Sequence, residues 1–571
     1  MKINQTTQIQ LNSLNIPFLK TGILALFFLF SCINSFATVK TYGSPGDLSL
    51  TPHLKQSADY TVTVNGRSSF VYETDNYWDG GGNPIIRRME TKAAFTNFDF
   101  GNEVANVEVT CNFPINSVTI RPKSDNVSFT QTGNKISFSI SKSKYLSVEI
   151  NDRLKPLFIF ADSLFVPPVA PAITYGPGIH NIGPQVALAP NQTVYIAGGA
   201  VVNGSFTSKG GGLKIVGRGI LNCGGIAWSD WLLDKTLSPI AAVGGTMSGY
   251  ELRGFTMVNA AGWYTNAYGP LCNIQDLKCI AWCGNSDGPH LNGDSKMTHC
   301  FIFNNDDALI SNKGDNNTFR DCVVWGGYWG HTMISLADNS QDNLLWEDID
   351  IIGAQPDLTF KVGKMISIET SLDKPTVPPT AIKNHLTFRN IRIEGQLPDK
   401  AGLVYMGVLG TSVIKNVLIE NVTTELLRTT DVDAEGTIEI MDAGAKIDSI
   451  TFKGLRMNGT LISKLYPARI KLYGVGGVMP THVIFDNTGY TGIEEVFTSN
   501  NTPLKVYVSN NRLRIEADNV TFNSFSVFNI VGAKVKSGSM FDNDISNLPA
   551  GIYNVLAEVD GVNYVGKFLK Q

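Results

Sequence analysis

The chain has 571 residues, 43% of them apolar and 17% charged, and a net charge of −4. That length exceeds one ordinary domain, and the apolar content supports a large core. No basic stripe is present, which argues against a nucleic-acid partner, and 55 glycines beside so little charge point to an all-β chain with many turns.

Residues 1–37 read as a signal peptide. Lys2 and Lys20 are the only charges ahead of an apolar run from Gly22 to Ser31, and small residues at Ser35 and Ala37 suit cleavage. The run is short for a bilayer span. A rival reading is lipoprotein processing at Cys32. Either route implies export, and the expected location is secreted or at the cell surface.

Residues 38–165 alternate in β fashion, as in Tyr60–Val64 (YTVTV), Val107–Cys111 (VEVTC) and Lys135–Ile140 (KISFSI), with turn residues between. This predicts a β-sandwich domain. Three prolines between Val166 and Pro171 predict a stiff linker.

Residues 172–511 carry a repeat. Segments starting at Leu252, Ile274, Met297, Phe319 and Trp346 align, with starts 22, 23, 22 and 27 residues apart. Each opens apolar–polar–polar and runs into a strand. Phe388 and Ile414 are read as continuing the series. A unit of this length is one coil of a right-handed parallel β-helix, which buries its inner face only by stacking on neighbours. A leucine-rich horseshoe is disfavoured because its L-x-x-L-x-L frame is absent. Cys300 and Cys322 share an offset and are expected to stack inward, and a core this large needs no disulfide framework. Cys279 and Cys283 lack a second ligand pair, so neither a metal nor a cofactor is expected. Residues 512–571 are read as a small C-terminal β module with a Pro549-Ala550-Gly551 turn.

The coil offsets also gather polar residues. Asp287 lies 13 residues after its coil start, Asp306 and Asp307 lie 9 and 10 after theirs, and His331 lies 12 after the next. Adjacent coils are about 4.8 Å apart, so these side chains are expected to converge. Asn and Asp are also common turn residues, but three carboxyls aligned across coils repel one another, and such crowding is often functional. His331, Tyr328, Trp329, Trp263 and Tyr264 are candidate sugar-binding residues, since flat aromatic faces suit sugar C–H faces.

Asp287-Gly288-Pro289 followed by Asp306-Asp307-Ala308-Leu309-Ile310, together with the stretches Tyr175–Gly183, Thr193–Phe206 and Val216–Leu221, resembles the β-helical inverting glycosidases. The closest is glycoside hydrolase family 49, which holds dextranases; family 28, which holds polygalacturonases, is related. The resemblance spans most of residues 60–360 and implies an N-terminal sandwich and cleavage of a polysaccharide, a dextran-like α-glucan first. It implies Asp306 as general acid, with Asp287 and Asp307 acting as base on a water. Inverting enzymes space acid and base by about 6.5–9.5 Å to admit that water. The sequence departs from both families: Ile310 and Ser311 stand where a lysine is expected, and Gly330-His331-Thr332 matches the family 28 Gly-His-Gly only in part. The nearest Arg-x-Lys, Arg469 to Lys471, comes too late, which disfavours homogalacturonan. Residues 512–571 resemble the sorting domain of type IX secretion in Bacteroidetes, which implies that export machinery as a partner. Two other functions stay open: a polysaccharide lyase, with Lys313, Lys361 or Lys364 as nearest base, and a non-catalytic glycan-binding surface protein.

Overall fold

The computed structural model describes residues 39–77, 90–327, 330–336, 339–353, 364–370, 379–396, 402–426, 436–465, 470–490 and shorter stretches between 505 and 570. The signal-peptide and lipoprotein readings fall outside these residues.

Two mainly antiparallel sheets form the first unit. One contains Tyr60–Val64, Ala105–Cys111 and Lys135–Ile140; the other contains Lys92–Phe100, Lys144–Ile150 and Leu157–Ser163. Tyr60, Val62, Val107, Val109 and Phe138 of the first share a core with Phe98, Leu146, Val148 and Ile159 of the second. The second sheet has another buried face. Phe95, Tyr145, Phe158 and Phe160 pack on Ile280, Trp282, Phe301, Phe303 and Trp325 of the next unit. Burial on both sides explains why Lys92–Phe100 and Leu157–Ser163 read as continuous buried runs.

The second unit is a parallel β-helix. Ile215, Leu252, Ile274, Met297, Phe319, Trp346, Phe388, Ile419 and Phe452 are successive register partners, one per coil. All are fully buried. The five expected equivalences therefore hold. The frame begun at Ile414 does not: Phe388 pairs with Ile419, and Ile414 pairs with Lys383. The cause is coil length. Partners Asp348 and Asn390 are 42 residues apart, and Asn390 and Asn421 are 31 apart, so no constant period carries the frame across.

The third residue of each aligned unit has a backbone role. Gly254, Asp276, His299, Asp321, Asp348, Asn390, Asn421 and Gly454 follow this strand in successive coils, with φ between +52° and +89°. The chain turns a corner there in the left-handed region, which glycine enters freely and Asn, Asp and His enter more readily than other residues. A second file of strands, through Met257, Cys279, Ile302, Val324 and Ile351, follows that corner. A third file runs through Leu309, Met333, Ile366, Val404, Gly436 and Ile470. Cys300 and Cys322 lie in the helix core, and the seven cysteines of the described residues are free and buried.

Near the C-terminus, Lys505–Ser509 pairs antiparallel with Arg512–Glu516, so the boundary expected after residue 511 falls inside a hairpin. Ser524–Asn529, Lys534–Ser539, Gly551–Val559 and Val562–Lys570 form an antiparallel sheet.

Candidate active site

The candidate residues occupy the turn between the second and third strand files. Backbone hydrogen bonds fix their alignment. Tyr264 N–H donates to Asp287 O, Gly288 N–H to Asp307 O, Ala308 N–H to His331 O, and Thr332 N–H to Lys364 O, at 2.8–3.0 Å. Trp263, Asp287, Asp307, His331 and Lys364 therefore stand in one file across five coils, with Asp306 one residue before Asp307.

Glycines and a buried amide hold this turn together. A Cβ on Gly288 would lie 2.0 Å from Ala308 O, and one on Gly330 would lie 1.9 Å from Asp307 N. No side chain fits at either place, so the neighbouring coils press directly on the Asp306–Ala308 backbone, Gly330 on Asp306 and Asp307 and Gly288 on Ala308. Asn304, fully buried, donates its side-chain amide to the carbonyls of Ser286, Asp306 and Asp307 at 3.0, 2.8 and 2.7 Å. Two aspartates are thus placed by close backbone contact and not by mobile loops.

The electrostatics of the cluster follow from burial and like charge. Burial and the neighbouring Asp307 push Asp306 up to about 8, against donation from the Asp307 N–H and Asn285. Burial pushes Asp307 up to about 7, with Glu369 adding to it, although His331 N–H donates to Asp307 Oδ1 at 2.5 Å. Asp287 is also raised well above the ordinary carboxyl range: burial acts first, then repulsion by Asp306 and Asp307, and Lys235 only partly offsets them. The three carboxyls do not ionise together at neutral pH, so protons remain in the site. His290 Nε2 lies 3.4 Å from Asp287 Oδ2, and burial pulls His290 down to about 4. Asp287 Oδ1 and His290 Nδ1 are buried with no hydrogen-bond partner, which leaves two polar atoms for a ligand.

The other candidates divide. Trp263 is partly exposed; its ring centre is 5.4 Å from that of Trp231 and 5.5 Å from that of His290. Tyr264 is not a sugar-binding residue. Tyr264 lies wholly inside the helix core, where no sugar reaches its ring. His331 has both ring nitrogens engaged: Lys364 N–H donates to Nδ1 at 3.0 Å, and Nε2 stands 3.3 Å from Glu369 Oε1. The Nδ1 contact puts the proton on Nε2, the nitrogen that faces Glu369. Burial lowers its proton affinity. Tyr328 and Trp329 lie outside the described residues.

Sequence reasoning missed three neighbours. His290 was signalled only by its place three residues after Asp287. Glu369 comes from the following coil, and Lys235 from a short segment beside the helix Trp228–Leu233, its Nζ 3.3 Å from the Trp231 ring centre. No local motif announces either.

No protein-family model matches the chain, and no curated protein matches it. Among solved structures, a hyperthermoactive exopolygalacturonase from Thermotoga maritima aligns with a TM-score of 0.36 and 11% identity, over 55% of this chain and 84% of that one. A tailspike protein of E. coli bacteriophage HK620 aligns with a TM-score of 0.17 and 10% identity, over 70% of this chain and 84% of that one. A second tailspike structure, in complex with a pentasaccharide, gives 0.15 and 8%, over 69% and 79%. Such scores carry no argument about chemistry; the fold rests on the strand pairings and the chemistry on the residues.

Proposed function

We propose that the protein is a secreted glycoside hydrolase that cleaves an α-linked polysaccharide, a dextran-like glucan first, with inversion at the anomeric carbon. The observation that carries this reading is the crowding of Asp287, Asp306 and Asp307 in one turn, where burial and mutual repulsion keep protons on carboxyls at neutral pH. Hydrolysis of a glycosidic bond needs one carboxylic acid to protonate the leaving oxygen and one carboxylate to take a proton from water. Asp307, pushed up to about 7, ionises more readily than the adjacent Asp306 and suits the base. Asp306, pushed up to about 8, keeps a proton and suits the acid. Asp287, raised by burial and by both neighbours, lies beside His290 and helps Asp307 to hold the water. The leaving group departs with Asp306's proton, water adds its oxygen to the anomeric carbon, and Asp307 receives the water's proton.

Export through type IX machinery accompanies this reading and rests on the sequence resemblance of residues 512–571. Deleting 548–571 should hold an active protein in the periplasm; unchanged surface delivery would sink that part.

The test of the activity is direct. Purified protein is incubated with dextran, pullulan, pectins and algal galactans, and products are followed by proton NMR from the first minutes. The expected result is cleavage of an α-glucan with the product emerging as the inverted anomer. Retention would make one aspartate a nucleophile and overturn the role of Asp307. Products with unsaturated ends would show a lyase, and no cleavage of any polymer would favour a binding protein.

A further inference from the structure

The third strand file continues past the acid cluster, and its outer face carries a second group of residues that the hydrolytic step does not use. Along Ile366–Glu369, Val404–Val408 and Gly436–Ile440 the side chains alternate. Ile366, Ile368, Val404, Met406, Ile438 and Ile440 enter the core. The register then puts Ser367, Tyr405 and Thr437 in one outward column, and Glu369, Gly407 and Glu439 in the next.

Gly407 leaves a gap in the second column, and Tyr405 lies across it. A Cβ on Gly407 would lie 2.7 Å from the Tyr405 hydroxyl and 3.0 Å from the ring carbon bearing it. The hydroxyl donates to Glu439 Oε1 at 2.6 Å, which ties the ring down over the glycine. On the other side, Glu369 Oε1 accepts from the Ser367 hydroxyl at 2.7 Å and faces His331 Nε2 at 3.3 Å. A partly exposed aromatic ring is therefore laid over the sheet, with a carboxylate anchored at each end. Each carboxylate has one oxygen engaged by these contacts, and among the described residues its second oxygen makes no hydrogen bond. Two coils separate the carboxylates, on the order of 10 Å.

We infer that Tyr405, Glu369 and Glu439 form a sugar-binding subsite for a neutral pyranose unit, next to the acid cluster on its C-terminal side. The ring offers an apolar face to the sugar's C–H bonds, and the second oxygens of the two carboxylates accept from hydroxyls at its rim. Two carboxylates in this position repel a uronate. Lys364, whose Nζ stands 5.9 Å from the ring centre, is the neighbour that an anionic sugar would use instead. The inference rests on reading the acid cluster as a glycan-cleaving centre, because it assigns the ring to the same bound chain.

The experiment measures binding apart from turnover. Full-length protein carrying Asp306→Asn is titrated calorimetrically with isomalto-, malto- and β-galacto-oligosaccharides, and with galacturonate oligomers of equal length. At least one neutral series is expected to bind, and the galacturonates at least about tenfold more weakly. Tyr405→Ala should weaken the neutral ligand about tenfold or more, and Tyr405→Phe, Glu369→Gln and Glu439→Gln less. Should Tyr405→Ala fail to fold, as read from its thermal transition, Tyr405→Phe and Glu439→Gln carry the test. Unchanged affinity in the folded variants, tighter galacturonate binding, or no neutral ligand overturns the subsite. Ring-dependent binding in a protein whose wild type cleaves nothing would leave the subsite standing and remove the hydrolase reading. Cleavage by wild type with unaltered KM in Tyr405→Ala would do the reverse.

Discussion

Two groups of buried charge sit on the same β-helix and are treated in opposite ways. Where the helix meets the two-sheet first unit, Lys278 and Asp162 are both fully buried, their charged atoms 2.5 Å apart, and Arg218 lies 2.7 Å from Asp99. Tyr145 donates to Asp162 at 2.7 Å. Burial alone would raise Asp162, but Arg218 and Lys278 hold it below the usual carboxylate range. Lys278 is itself pulled down, because burial and the like-charged Arg218 outweigh its single strong partner. In the turn on the other side of the second strand file, three carboxyls are buried with like charges beside them, and their proton affinities rise. Here the opposite charges in contact make a joint between two units, and the like charges in contact retain protons.

The comparison is broken most severely by removing the stored proton. Asp306→Asn keeps the size but gives no proton to a leaving oxygen, so turnover on the polysaccharide is expected to fall by at least about a hundredfold, with binding intact. An activated leaving group, which needs little protonation, should restore much of that loss. Rescue of Asp287→Asn instead would transfer the acid role to Asp287. Full activity in Asp306→Asn would take the cluster out of the reaction.

The joint should fail in stability and not in chemistry. Lys278→Met leaves the buried Asp162 without its closest cation, with Arg218 and the Tyr145 hydroxyl remaining, and loss of one partner of a buried pair costs about 3–5 kcal/mol. Denaturant unfolding should show that loss. Adding Asp162→Asn should recover part of it, because the uncompensated charge is then gone. An unaltered unfolding midpoint in Lys278→Met would mean the pair holds nothing together.

The smallest effect has a diagnostic sign. Asp306 and Asp307 stand at about 8 and about 7 in the folded chain, against an ordinary carboxyl value of about 4. A raised folded-state value gives stability that is complete below about pH 4 and is lost as pH rises through about 8. Asp306→Asn and Asp307→Asn do not ionise, so their melting temperatures should exceed wild type at pH 8 and approach it at pH 4. A gain of equal size at both values would show that packing, not charge, is responsible.

Much of the fold is legible in the sequence because two rules act locally. Inward positions such as Met297, Phe319 and Trp346 must be apolar, and the corner after them must accept a left-handed backbone, so Gly, Asp, His and Asn mark it. The frame failed at Ile414 because the preceding coils hold different numbers of residues, which no local rule fixes. The aspartates were legible because three consecutive coils of similar length bring them into line. Glu369 and Tyr405 were not, because one long coil separates Glu369 from the aligned coils and two separate Tyr405 from them. Tyr264 was misplaced for a different reason: a single step along the chain separates the cleft from the core, and Trp263 took the outward place.

The unequal coils have a consequence for how such a protein changes over time. Between Asp294 and Asn316 the chain advances 22 residues, between Asn316 and Asn343 27, and between Asp342 and Asn384 42, yet each pair is joined by the same side-chain contact. Added length is taken up outside the paired strands, so it leaves the stack of core residues in step. New turns are therefore a cheap source of novelty: an insertion can reshape the cleft wall and alter which glycan fits, while the scaffold beneath inherits no correction to make. Exchanging single turns between β-helices of different specificity is the engineering counterpart of that freedom.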